Sequence, residues 1–152
     1  MQGMKIMLVD DEERFLATTQ KVLRRKGYEV LTAQSGQEAL EKLKTGIIHV
    51  VILDVKMPGM DGVATLKEIK KRYPLVEVIM LTGHATVESA VEGLKAGAND
   101  YLVKPADMDE LIEKAKEAYG MRQRIEEKVR MAQSRMAMKS PREIIRDVQE
   151  NS

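Results

Sequence analysis

Ile48-His49-Val50-Val51-Ile52-Leu53-Asp54-Val55-Lys56-Met57-Pro58-Gly59-Met60-Asp61-Gly62 decides how the rest of the chain folds. Val50 to Leu53 is an unbroken aliphatic run, the pattern of a strand buried on both faces of a parallel sheet. Pro58 and Gly59 stop it. Asp54 therefore stands at the carboxyl end of a central strand, where open α/β sheets place their ligand sites. A single acid there is also an ordinary polar strand end. What the other strands carry at their ends decides between the two.

Outward from this stretch, strands and helices alternate. Met4-Lys5-Ile6-Met7-Leu8-Val9 is a short apolar strand that ends in Asp10-Asp11. A helix follows from about Glu13 to Lys26, with Phe15, Leu16, Thr19, Val22 and Leu23 on one stripe and Gly27 as its stop. Tyr28 to Ala33 reads as a second strand. Ser35-Gly36-Gln37-Glu38 is a capping box for a helix whose apolar face is Ala39, Leu40 and Leu43. After the opening stretch, Val63, Leu66, Ile69 and Tyr73 mark a helix closed by Pro74. Val76 to Leu81 is a fourth strand running into Thr82-Gly83. Thr86 to Leu94 is a weak helix, poor in large anchors. Asp100 to Val103 is a fifth strand ending in Lys104-Pro105, and a last helix begins near Asp107. Five strand–helix repeats predict an α/β fold, a flavodoxin-like (βα)5 doubly wound parallel sheet of order 2-1-3-4-5 with an extended last helix.

Composition narrows the chemistry. The 152 residues suffice for one domain and an appendage, with residues 1–120 as the domain and 121–152 as a helical extension. The 25 basic and 24 acidic residues nearly cancel, so no global field points to nucleic acid or a membrane. Residues 1–120 carry 17 basic against 19 acidic residues (−2), whereas residues 121–152 carry 8 against 5 (+3). Without cysteine there is no disulfide, thiolate or Cys-based zinc chemistry. No apolar run approaches membrane-spanning length and the first ten residues lack a signal-peptide core, so a cytoplasmic protein is expected. Five aromatic residues and no Trp make base stacking a poor expectation.

In a parallel sheet all carboxyl ends share one edge, and order 2-1-3-4-5 sets the first and third strands side by side. Asp10, Asp11 and Asp54 then converge, with Thr82 and Lys104 on neighbouring strand ends. Two carboxylates about 4 Å apart repel by roughly 4 kcal/mol at an effective dielectric of 20. Such a cluster needs a cation or raised pKa values. Oxygen-only ligands suit a hard ion such as Mg2+. Thr82 can hydrogen-bond a phosphate oxygen and Lys104 supplies a fixed positive charge, so phosphoryl acceptance by an aspartate is a candidate chemistry.

Leu8-Val9-Asp10-Asp11-Glu12, Val51 to Gly62, Met80-Leu81-Thr82-Gly83 and Ala96 to Pro105 together resemble the response-regulator receiver domain of two-component signalling, over about residues 4–120. The resemblance implies Asp54 as phosphoacceptor and Asp10, Asp11, Asp54 and the Lys56 carbonyl as holders of Mg2+. It implies Thr82 as the hydroxyl that moves to the phosphoryl group, Lys104 as the salt-bridging lysine before a cis Pro105, and Tyr101 as the aromatic that turns with Thr82. Lys56 and His84 match positions that influence phosphoryl lifetime. A sensor histidine kinase is the implied phosphodonor. The chain is then a signalling switch, not an enzyme. His49, where the family often has an acid, reads as a surface difference, and Gly83 replaces a frequent Ala.

Two other readings compete with a stand-alone switch. The chain could be the receiver and linker of a longer transcription factor. It could instead be a metal-dependent phosphohydrolase with Asp54 as nucleophile, but that chemistry wants a second acid where Lys56 stands. From Leu111, steps of four and three reach Ala115, Ala118, Arg122, Ile125, Val129, Ala132 and Met136. This a/d register predicts a homodimer through residues 111–136, weakened by its alanines and Arg122. Ser140-Pro141-Arg142-Glu143 caps a short helix over 141–149. That helix is too short for a helix-turn-helix, so nucleic-acid binding through it is not expected.

Overall fold

The computed structural model describes residues 3–55, 61–83, 87–138 and 141–150. Five parallel strands, β1 (Lys5–Val9), β2 (Glu29–Ala33), β3 (Val50–Leu53), β4 (Glu77–Thr82) and β5 (Asp100–Val103), form one sheet of order β2-β1-β3-β4-β5. Helices α1 (Glu13–Arg25), α2 (Gly36–Thr45), α3 (Gly62–Arg72), α4 (Val87–Lys95) and α5 (Met108–Met138) follow the strands in turn, and α6 (Pro141–Glu150) comes last. The expected class and strand order are those observed.

The aliphatic run of β3 is central because both its faces are covered. Val51 and Leu53 join Met7, Val9, Val78 and Met80 in a core closed by residues of α2 and α3. Val50 and Ile52 join Ile6, Leu8, Ile79 and Leu81 in a second core closed by α1 and α5. Period-two alternation thus feeds two cores at once, and each buried aliphatic side chain contributes roughly 1.5–3 kcal/mol.

Local signals explain several helix ends. Gly27 takes φ +97°, and the Gly27 and Tyr28 amides donate to the Arg24 and Leu23 carbonyls, closing α1 in a Schellman motif. Ser35 Oγ accepts from the Glu38 amide as expected, but Glu38 turns its carboxylate to the Gln34 amide at 2.6 Å. Helix α4 is seated weakly. Gly93 is its one buried residue, while Val87, Val91 and Leu94 are exposed.

Helix α5 runs without a break past the end of the sheet. Leu111, Ala115 and Ala118 are buried, whereas Ile125, Val129 and Met136 on the same stripe are 40–53% exposed. Arg122 is not an idle charge on that stripe. Its side chain, 13% exposed, donates to the Ile48 carbonyl at 2.9 Å and pairs with Glu126. His49 is also half-buried, not a surface difference: its Nδ1 accepts the Lys5 amide at 3.0 Å and its ring meets Tyr119 edge-on at 5.0 Å. Asn99 joins Glu77 of β4 to the Met121 sulfur. The root of the extension is therefore clasped to the amino-terminal edge of the sheet. Arg122→Ala should cost about 1.5–3 kcal/mol, the value of a hydrogen bond from a charged donor. Amide exchange over residues 121–138 should accelerate more than in the sheet, as hydrogen-exchange mass spectrometry would register.

Candidate functional site

The register of the sheet builds the site. Val9 pairs with Leu53, so Asp10 and Asp54 leave adjacent strands at the same level. The Asp54 amide donates to Val9 O at 2.9 Å and the Asp10 amide to Ala33 O at 3.0 Å, which holds both backbones. Asp10, Asp11 and Asp54 each offer a carboxylate oxygen, and these oxygens lie within 4.8 Å of one another. Asp10 and Asp54 are buried while Asp11 is exposed.

The donor set fits a hard cation. Among the described residues Asp54 Oδ1, which is buried, has no hydrogen-bond donor, so one carboxylate oxygen of the cluster lacks a partner there. Three acid oxygens without nitrogen or sulfur suit an ion that keeps waters of its own. The residues present could thus hold a metal ion.

Lys104 reaches the cluster from β5, its amide donating to the Thr82 carbonyl at 2.9 Å. Its ammonium pairs with Asp10 Oδ2 and, at 3.2 Å, with Glu12 Oε1. It also stands 4.1 Å from the centroid of the Phe15 ring. Burial alone would lower the lysine's pKa, but the two carboxylates outweigh it and hold the group above its usual value. Asp10 is pushed up from 3.8 chiefly by burial, with the Asp54 charge adding, against the pull of Lys104 and the Glu12 amide. The Lys104–Pro105 peptide is cis.

Thr82 is fully buried at the end of β4. Half-buried Tyr101 packs on the core, and its hydroxyl hydrogen-bonds Ser89 Oγ of α4 at 3.0 Å. Lys56 and His84 lie outside the described residues. Three partners were not singled out for the site from the sequence: Glu12, Phe15 and Ser89. Glu12 reads as a third acid after a pair and Phe15 as a core-stripe residue. Only the fold brings β5 and α4 to them.

The family model described as the response regulator receiver domain matches residues 6–116. The chain belongs to that family. Over 113 residues it is 47% identical to the transcriptional regulatory protein ZraR of Escherichia coli, a match covering 72% of this chain and 26% of ZraR. It therefore spans about a quarter of that relative. The crystal structure of a receiver domain protein from Methanospirillum hungatei superposes with a TM-score of 0.76 at 35% identity, covering 80% of this chain and 97% of that one. The beryllofluoride-activated NtrC4 receiver domain dimer gives 0.73 at 36% identity, covering 78% and 98%. As a receiver of two-component regulators, the chain has the fold and family of a phosphorylation switch.

Two substitutions check the site's physics. A Cβ on Gly62 would stand 2.2 Å from the Asp54 carbonyl oxygen and 2.5 Å from Val55 Cα, so α3 can start this close only with glycine. Gly62→Ala should cost about 1–3 kcal/mol as overpacking and displace the Asp54 amide resonance. Asp10→Asn should stabilise the protein at neutral pH, because a raised carboxyl pKa means that the charged form favours unfolding. The gain should shrink as pH falls through the raised folded value and vanish below 3.8, as denaturant titrations at several pH values would show.

Proposed function

We propose that this receiver accepts a phosphoryl group on Asp54, with Mg2+, from the phosphohistidine of a sensor kinase or from a small acyl phosphate. The observation that carries the reading is the buried Asp54 carboxylate, clustered with Asp10 and Asp11 beside the Lys104–Asp10 pair and with its Oδ1 unpartnered among the described residues. A carboxylate oxygen of Asp54 attacks phosphorus as the bond to the donor's nitrogen or oxygen breaks, and the donor leaves with that electron pair. Asp10, Asp11, Asp54 and the Lys56 carbonyl would hold Mg2+, which when bound would supply charge neutralisation for that transfer. Lys104 then leaves Asp10 to pair with a phosphoryl oxygen, and Thr82 donates its hydroxyl to another. Movement of Thr82 bears on Tyr101, whose hydroxyl is tied to α4 through Ser89. Weakly seated α4 is the element such a switch can shift. Lys56 and His84 tune how long the acyl phosphate survives.

The chain would signal by changing a partner or dimer surface and would catalyse only its own phosphorylation and dephosphorylation, in the cytoplasm. Within the expected dimer stretch 111–136, the exposed apolar residues Ile125, Val129 and Met136 support pairing through its distal part, Leu111, Ala115 and Ala118 being buried against the protein's own sheet. A match that covers only 26% of a transcriptional regulatory protein supports a second reading, in which residues 1–120 form the receiver and 121–152 the linker of a transcriptional regulator.

Incubation with Mg2+ and acetyl phosphate, followed by intact mass, tests the proposal. The native chain should gain one phosphoryl group and Asp54→Asn none. An unmodified native chain would overturn it, and many equivalents of phosphate released per chain would favour the phosphohydrolase instead.

A further inference from the structure

Among the described residues, three side chains meet the Lys104 ammonium, and one of them belongs to the acidic cluster. Asp10 is that one. The other two come from the start of α1, and both depart from what a helix start ordinarily does.

Glu12 occupies the N-cap position, where a short polar side chain would accept an amide of the first turn. It makes no such bond. Its own amide is taken by Asp10 Oδ1 at 2.9 Å, and its carboxylate goes to Lys104. The helix thus forgoes a side-chain cap while this acid faces the lysine. Three residues on, Phe15 is only partly buried, and it packs against the core of α1 and α5 with one face left to the Lys104 ammonium, 4.1 Å from its centroid. A cation over a ring face is attracted by the ring's quadrupole, more strongly where water is excluded. The lysine side chain here is 14% exposed.

These three differ in what else claims them. Asp10 is shared with the Asp10–Asp11–Asp54 cluster, so a cation there competes with Lys104 for it. Among the described residues, the Phe15 ring meets no cation other than Lys104. We infer that Phe15, with Glu12, is a positioning residue that keeps the Lys104 ammonium at the mouth of the site when Asp10 is engaged elsewhere, so that the lysine stays within reach of an incoming phosphoryl oxygen. The inference rests on Asp54 as phosphoacceptor. It adds a ring-face seat for the lysine that the strand-end residues do not contain.

The seat has a spectroscopic signature independent of phosphorylation. Protons above an aromatic face are shielded, so the Lys104 ε-methylene signals should lie upfield of those of the other lysines. They can be assigned by their loss in Lys104→Arg. The shift should persist on adding Mg2+, and on adding Mg2+ with beryllofluoride. It should vanish in Phe15→Leu, which keeps an apolar side chain but no π face, and return in Phe15→Tyr. Acceptance from acetyl phosphate should slow about three- to tenfold in Phe15→Leu, recover in Phe15→Tyr, and leave Mg2+ affinity undiminished. General damage would instead weaken Mg2+ binding and acceptance together.

An unshifted methylene in the native chain, a shift abolished by Mg2+, or full-speed acceptance by Phe15→Leu would each overturn the inference. So would equal losses in the Leu and Tyr variants. If the native chain accepted no phosphoryl group at all, the reading of Asp54 would fall, and the methylene shift would still decide whether the seat exists.

Discussion

Asp10, Asp11 and Asp54 place three acid oxygens within 4.8 Å on adjacent strand ends, and the architecture around them serves to hold that arrangement against its own repulsion. Strand pairing fixes the two backbones from which Asp10 and Asp54 project. Burial of the strands removes water that would otherwise screen the charges. What offsets the repulsion in the described residues is Lys104, which arrives from the far side of β4. The site therefore depends on a contact between residues 94 positions apart, and it exists only when the whole sheet is assembled.

The parts of this arrangement legible in the sequence are those governed by backbone pattern. A run such as Val50 to Leu53 has few places to go except a strand covered on both faces, and a polar residue after each such run has to emerge at one edge. From that logic the order of strands and the convergence of Asp10, Asp11 and Asp54 follow. Side-chain partnerships across the fold were not legible. Glu12 looks like one more acid at a helix start and Phe15 like a core anchor, because nothing nearby in sequence says that Lys104 will lie between them. Nothing beside Gly62 in the sequence gives its reason, the Asp54 carbonyl, which it meets only after α3 has docked.

Arg122 shows the same limit from the opposite direction. Counted along the helix, it occupies a seam position and weakens the case for pairing with another helix. In the folded chain it answers the Ile48 carbonyl, 74 positions away, and that seam position is filled by the protein's own sheet edge. The apolar residues left for any partner begin at Ile125, beyond the clasp.

Because α5 is continuous from Met108 to Met138, nothing in it acts as a universal joint. It behaves as a lever arm with its fulcrum at the clasp around Arg122. From there to Met138 is about 24 Å, so a tilt of about 10° at the sheet would sweep the far end by about 4 Å, the width of a side chain. A displacement too small to disturb the core would thereby be magnified at the tip of an unbroken helix.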